Sequence, residues 1–379
     1  MKKNNTAVAE KPQKRMPGGK PARRSRQPKR ITIGLDLGDK SSRYCVIDEN
    51  GEVLFERSVA TSKKGMAHVF SALPRCRIAL EVGTHSPWVS RLLKGLGHEV
   101  IVANARQVKL ISESSRKDDK LDARTLARLA RIDPELLRPI RHRSEKAQGH
   151  LLTIRVRAAL LETRTSLINT ARGLAKAYGE RLPGCDADQM GVQQGRELPA
   201  VLQEALEPLL VQVAALTAQI QACDRKVEQI ARSEYPETAR LKQVAGVGDL
   251  IATTYVLTVE DPGRFRRSRD AGCYVGLRPK RSESGESRPQ LRITKEGDRY
   301  LRQLLVQGAH YILGWRGPDT DLRRWGLQLA QRGGKNAKKR AIVAVARKLA
   351  VLLHRLWVSG ERYEPLRHSR RKEAASAAA

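Results

Sequence analysis

Ile31-Thr32-Ile33-Gly34-Leu35-Asp36-Leu37-Gly38 reads as a strand that carries one carboxylate among apolar and β-branched neighbours. The run is apolar enough for a central strand, where an unpartnered charge is costly, so Asp36 calls for a compensating partner. Two more β-rich runs follow at 44–47 and 53–59, joined across the turn Asp48-Glu49-Asn50-Gly51. Together they predict a three-stranded antiparallel meander. Helical sequence at 65–73 leads to a strand at 78–82, a helix at 87–96 and a short strand at 100–102.

This β-β-β-α-β-α-β-α order belongs to ribonuclease H-like domains and equally to actin-like ATPases. The ATPase reading takes Gly34 to Gly38 as a first phosphate loop and needs a second glycine-rich loop, which the sequence does not offer. The acids favour the other reading. Glu81 ends the run Arg77-Ile78-Ala79-Leu80-Glu81, again a strand that should be internal. In a ribonuclease H-like sheet the strands of Asp36 and Glu81 are neighbours.

Downstream, Arg116-Lys117-Asp118-Asp119-Lys120-Leu121-Asp122-Ala123 opens a helix. At about 100° per residue, Asp119 and Asp122 share a sector with Ala123, Leu126, Leu129 and Ala130, while Lys117, Lys120, Arg124, Arg128 and Arg131 fall opposite. Leu121 alone spoils the pattern. Asp118 or Asp119 also suits a helix cap, and Asp39 and Asp48 suit turns. Asp36, Glu81, Asp119 and Asp122, if convergent, form a set able to hold two Mg²⁺ ions about 3.5–4 Å apart, with Mn²⁺ as a substitute. Such a pair activates an attacking oxygen and stabilises a leaving one in phosphodiester cleavage.

Composition points to the same class of partner. Lys and Arg number 72 against 40 Asp and Glu, a formal net charge of +32 that predicts attraction to a polyanion. Residues 1–30 are rich in Lys, Arg, Pro and Gly and are expected as a disordered basic tail, with a polar tail at 359–379. No apolar stretch reads as a membrane span and no signal-peptide core follows the N-terminus, so a cytoplasmic, nucleoid-associated protein is expected. Cys45, Cys76, Cys185, Cys223 and Cys273 are scattered without zinc spacing. Aromatic residues are 4% of the chain, which favours electrostatic tracking of a duplex over stacking on single strands.

The sequence predicts four further features beyond the first domain at 31–140. Long helix-period runs at 145–180 and 197–232 suggest a coiled-coil arm at 141–235, suited to self-association or to a plain bundle. A second, mostly helical region at 236–358 contains Val244-Ala245-Gly246-Val247-Gly248, where Gly246 and Gly248 would bring backbone N–H groups to a phosphate. Arg278, Lys280, Arg281, Arg288, Arg292, Lys295 and Arg299 add a basic surface for nucleic acid around the serines Ser282, Ser284 and Ser287. Nearby cations would stabilise a serine alkoxide and a pentacoordinate phosphate, although an ordinary polar loop has the same composition. Helices at 299–313 and 337–356 close the region.

Several landmarks resemble the DEDD transposases of the insertion-sequence one-ten group, which are RNA-guided recombinases. They are Gly34-Leu35-Asp36, Glu81 with Gly83, and Lys117-Asp118-Asp119-Lys120-Leu121-Asp122-Ala123. In the second region they are Val244 to Gly248, Gly276-Leu277-Arg278-Pro279, Ser284-Gly285, Ile293-Thr294-Lys295 and Ala346-Arg347-Lys348-Leu349-Ala350. The resemblance covers about 31–131 and 241–356. It implies a RuvC-like α/β fold binding Mg²⁺ through Asp36, Glu81, Asp119 and Asp122, followed by the arm and a C-terminal transposase domain. It also implies Ser284 as a nucleophile forming a phosphoserine–DNA intermediate, a structured noncoding guide RNA, donor and target DNA, and a homodimer or homotetramer. A Holliday-junction resolvase without the covalent step and a noncatalytic nucleic-acid scaffold are the rival readings.

Overall fold

The computed structural model describes residues 31–104, 119–287, 289 and 291–369, with side chains of the acidic helix from Asp122 onward. Of the two expected tails, all of 1–30 and the last part of the second, 370–379, lie outside these residues. The chain divides into two compact units at His142/Arg143.

The first unit holds a five-stranded mixed sheet in the order β3-β2-β1-β4-β5, made of β1 (Thr32–Asp36), β2 (Ser41–Ile47), β3 (Val53–Ala60), β4 (Arg77–Glu81) and β5 (Glu99–Ala103). The meander β1-β2-β3 is antiparallel, and β1, β4 and β5 run parallel. Helices α1 (Lys63–Ser71) and α2 (Ser86–Gly95) cover one face, where Met66, Phe70, Val89 and Leu93 pack on Ile33, Leu35, Tyr44, Ile78 and Leu80. The other face receives α3 (Asp119–Ile132): Ala123 and Ala127 meet Cys45 and Ile47, and Leu126, Leu129 and Ala130 meet Ala79, Ile101 and Ala103. This two-layer clothing of a mixed sheet is compatible with the ribonuclease H-like expectation.

Gly34 sets how closely α3 lies on the sheet. A Cβ there would stand 1.9 Å from the carbonyl oxygen of Ala123 and 2.5 Å from the backbone nitrogen of Ala127, so helix backbone rests directly on β1. The small residues Ala123 and Ala127 complete the contact, both fully buried.

The second unit starts with α4 (Glu145–Ala177) and α5 (Ala200–Glu234), a long antiparallel hairpin. Ile168, Ala171 and Ala175 of α4 meet Leu202, Leu206, Leu210 and Val213 of α5, and Leu182, Met190 and Leu198 of the connection plug the far end. By length and composition α5 is apolar enough to cross a membrane, a property not expected from the sequence pattern. Its buried stripe packs on α4. At the base, Ala147, Leu151, Ile154 and Val227 share a cluster with Leu257 of α7 (Asp249–Val259), so the hairpin is rooted in the C-terminal region.

There α6 (Thr238–Leu241), α7, α8 (Arg269–Tyr274), α9 (Arg299–Leu313), α10 (Asp321–Gln331) and α11 (Ala337–Ser359) enclose a core of Tyr255, Val275, Leu301, Leu305, Val345 and Leu349. Helix α10 was not anticipated from sequence. Its run Asp321-Leu322-Arg323-Arg324-Trp325-Gly326 is polar and holds a glycine, and the helix is capped by Thr320, whose side chain accepts from the backbone N–H of Arg323.

Candidate active site

In the parallel pairing of β1 with β4, Leu35 stands opposite Leu80, and the next residues, Asp36 and Glu81, end the two strands. Side chains alternate across a sheet, so Asp36 shares a face with Gly34, and Glu81 shares it with Ala79. That is the face on which α3 lies. Asp122 sits in the first turns of α3, one residue before the Ala123 carbonyl that crosses Gly34. Asp36, Glu81 and Asp122 are each partly buried. The topology therefore carries Asp36 and Glu81 to one edge of the sheet and sets Asp122 in the helix crossing that face. Asp119 starts α3, and its side chain lies outside the described residues.

Among the described residues no three His, Cys, Asp or Glu side chains come close enough to form a metal cluster. Carboxylate oxygens alone suit a hard cation such as Mg²⁺ and not a zinc site built from thiolate and imidazole. Burial pushes the Cys45 thiol up to about 11, helped by the Glu56 carboxylate, and the Cys76 thiol, at the other end of β4 from Glu81, up to about 12.

Two cations of α3, Arg124 and Arg131, are engaged with the meander. Arg124 donates from Nε and Nη2 to Glu56 Oε1 on β3, at 3.0 and 2.8 Å. Arg131 donates to the Glu49 carbonyl at 3.2 Å. The sequence wheel, which turned the cations away from the acids, thus has a partner for them in the meander.

Sequence reasoning missed the loop between β4 and α2. Ser86 is fully buried, donates to the Gly83 carbonyl at 2.8 Å, and lies 2.8 Å from His142 Nε2. Beside it, His85 Nδ1 accepts from the Trp88 indole N–H at 3.1 Å, and His85 Nε2 faces Asp39 Oδ1 at 3.5 Å. A single histidine in a loop has no periodic signal to find it by. The neighbouring Glu81-Val82-Gly83 was the available clue.

In the second unit the serine cluster lies on a narrow ribbon. Lys280 N–H donates to the Arg292 carbonyl at 2.9 Å and Thr294 N–H to the Arg278 carbonyl at 2.8 Å, and the ribbon tip closes at the Ser284 and Ser287 pair. Gly285, with φ of 55°, makes that tip. Ser282, Ser284 and Ser287 are all exposed, as are Arg278, Lys280, Arg281, Arg292, Lys295 and Arg299. Arg288 lies outside the described residues. Glu283 and Glu286 flank the serine, and the ribbon carries no histidine.

The glycine turn before α7 has a packing role. Gly246 has φ of 81°, and a Cβ there would lie 2.9 Å from the Gly308 carbonyl on α9. Gly308 is tight in return, with a Cβ 3.0 Å from the Gly246 carbonyl. Gly248, at the N-cap of α7, faces open space.

A DEDD transposase family model matches residues 33–179, the span holding all four acids, and a model described as the transposase IS116/IS110/IS902 family matches residues 238–322, the span holding the serine ribbon. The chain belongs to the IS110 family of DEDD transposases. It is accordingly a DNA transposase of the insertion-sequence type. Among similar proteins, the transposase for insertion sequence element IS1111A of Coxiella burnetii is 28% identical over 355 residues, covering 90% of this chain and 93% of that protein. A protein of Pseudomonas aeruginosa named "Probable family 20 transposase" is 28% identical over 341 residues, covering 88% of this chain and 98% of its own. The transposase for element IS1328 of Yersinia enterocolitica is 28% identical over 286 residues, 74% of this chain and 83% of its own. These likenesses run through both units, so the IS110-type transposase comprises the sheet domain and the helical region together.

Proposed function

We propose that this transposase cuts and rejoins DNA strands with Asp36, Glu81, Asp119 and Asp122 as ligands for divalent metal, Mg²⁺ in the first place, and Ser284 as the nucleophile. The observation that carries the reading is the register of β1 and β4, which ends both strands in an acid on the face that α3 covers. A bound metal pair would stabilise charge on the attacking and departing oxygens. The protein's own part is transesterification: Ser284 Oγ forms a bond to phosphorus, the bond to the departing sugar oxygen breaks, and the serine proton ends on that oxygen. Attack by a sugar hydroxyl of another strand reverses the step, frees Ser284 and makes the new phosphodiester. Phosphate ester is exchanged for phosphate ester, so no external energy source is required. Exposed Lys280, Arg281 and Arg292 are placed along the ribbon to offset charge on the pentacoordinate phosphate.

The same reading includes a noncoding RNA of the element that pairs with donor and target DNA, leaving the protein to hold backbone and shape. It includes self-association through the α4/α5 hairpin. A metal-dependent resolvase without covalent chemistry is the competing scheme, and Ser284→Ala separates the two. Strand exchange by the purified variant should fall by at least about a thousandfold, with no protein–DNA adduct on a denaturing gel. Exchange at the wild-type rate removes the serine mechanism. Deleting the noncoding flank of the element, with the reading frame intact, tests the RNA: transposition should stop and return when the transcript is supplied from elsewhere.

A further inference from the structure

We propose that His85 is a DNA-phosphate ligand of the transposase site, acting as a neutral hydrogen-bond donor through Nε2. The proposal rests on the reading that DNA is cut at the edge where β1 and β4 end. His85 follows Glu81 by four residues and Asp39 follows Asp36 by three, so the pair stands just beyond those strand ends.

The protonation pattern follows from the partners. An indole N–H can only donate, so the Trp88 Nε1 contact of 3.1 Å requires a lone pair on His85 Nδ1. The proton of the neutral ring is therefore on Nε2. A proton on Nδ1 would set two N–H groups against each other. Nε2–H is thus placed to donate one hydrogen bond.

That donor is under-used. Its distance to Asp39 Oδ1 is 3.5 Å, at the outer limit of a hydrogen bond, and the Asp39 side chain is 89% exposed, so water can satisfy the carboxylate. A nonbridging phosphate oxygen can approach Nε2 to ordinary hydrogen-bond distance when the exposed Asp39 carboxylate turns toward water. The seat is also rigid. Ser86 donates to the Gly83 carbonyl and accepts from the Gly83 N–H at 3.0 Å, while Trp88 braces the imidazole edge-on at 6.1 Å between centroids. Little ordering remains to be done when DNA arrives.

The test uses the full-length chain, the transcript of the element's flank, and a fluorescent duplex carrying the element's end. Affinity is measured by anisotropy over a KCl series without divalent metal. His85→Ala should weaken binding about tenfold at every salt concentration, the size expected when a hydrogen bond to a charged acceptor is removed. Its plot of log affinity against log salt should run parallel to that of the wild type, because a neutral donor releases no counterion. A slope shallower by about 0.9 would mean a charged ring and overturn the neutral-donor assignment. His85→Gln, which can place an amide N–H near the same point, should recover most of the affinity. A Gln variant as weak as the Ala variant overturns the donor role, as does an Ala variant of unchanged affinity. Asp36→Asn, assayed for strand cleavage in Mg²⁺, separates the two ideas. If it is inactive while His85→Ala binds normally, only the His85 proposal fails; if it cleaves like wild type, the edge is not the site and both fail.

Discussion

Gly34 and Asp36 place a packing requirement and a candidate metal ligand two residues apart on one strand. The missing side chain at Gly34 admits α3, and the carboxylate two residues on shares the face that α3 covers. Gly34→Ala should therefore destabilise the first unit by about 3 kcal/mol or more, because its Cβ would meet helix backbone that no rotamer change can move. A drop in the thermal midpoint with strand exchange abolished in parallel is the expected result. Asp36→Asn and Glu81→Gln should do the reverse, keeping the fold and DNA affinity while lowering cleavage by at least about a hundredfold. The placement of Asp36 and Glu81 on neighbouring strands was legible in the sequence because an acid inside an apolar β run violates the usual pattern. His85 was not, since its meaning depends on Trp88 and Asp39, which only the folded loop brings to it.

At the scale of elements, legibility followed periodicity. The meander, the strand 78–82 and the two long helices carry clean period-2 or period-3.6 patterns, and each appears within a few residues of its expected limits. The serine ribbon carries none. Its residues are charged and exposed, paired by a few backbone hydrogen bonds, and its register comes from the turn at Gly285 and from Gly276, where a Cβ would lie 2.2 Å from the Glu296 carbonyl. The root of the hairpin was equally hidden, because contact with Leu257 depends on tertiary packing. The self-association proposed for the hairpin would draw on surface that remains uncovered. Leu152 and Val156, four residues apart on α4, are 60% and 53% exposed, and Leu174 and Tyr178 repeat the spacing at 50% and 57%. Spacing of four keeps each pair on one helix face. Leu174→Glu with Tyr178→Glu should shift the full chain toward monomer in light scattering while leaving its helical circular dichroism intact. An unchanged mass would assign self-association to other surfaces.

Charge is the property of the whole molecule that no single element explains. Of the 72 Lys and Arg residues, 11 fall within residues 1–30, against a single Glu in that stretch. Many of the remaining cations are tied to structure: Arg124 to Glu56, Arg131 to the Glu49 carbonyl, Arg302 to the Val275 and Glu296 carbonyls, Arg324 to Asp319. The N-terminal stretch and the ribbon are two concentrations of positive charge in the sequence, and under the proposed function their contributions would differ in kind. A basic stretch neutralises phosphates without reading bases, so it sets affinity and its salt dependence. Removing residues 2–30 should weaken binding to unrelated duplex DNA and make the salt plot shallower by about 0.9 for each phosphate that is no longer neutralised. Arg281→Ala with Arg292→Ala on the ribbon should change that slope by at most about two, yet slow strand exchange at saturating DNA, because those cations would act on the phosphate under attack. Anisotropy against salt and single-turnover exchange at saturation measure the two effects separately. If the ribbon variant bound more weakly but exchanged normally once saturated, its cations would belong with the N-terminal stretch as anchors, and Ser284 would be left without its electrostatic support.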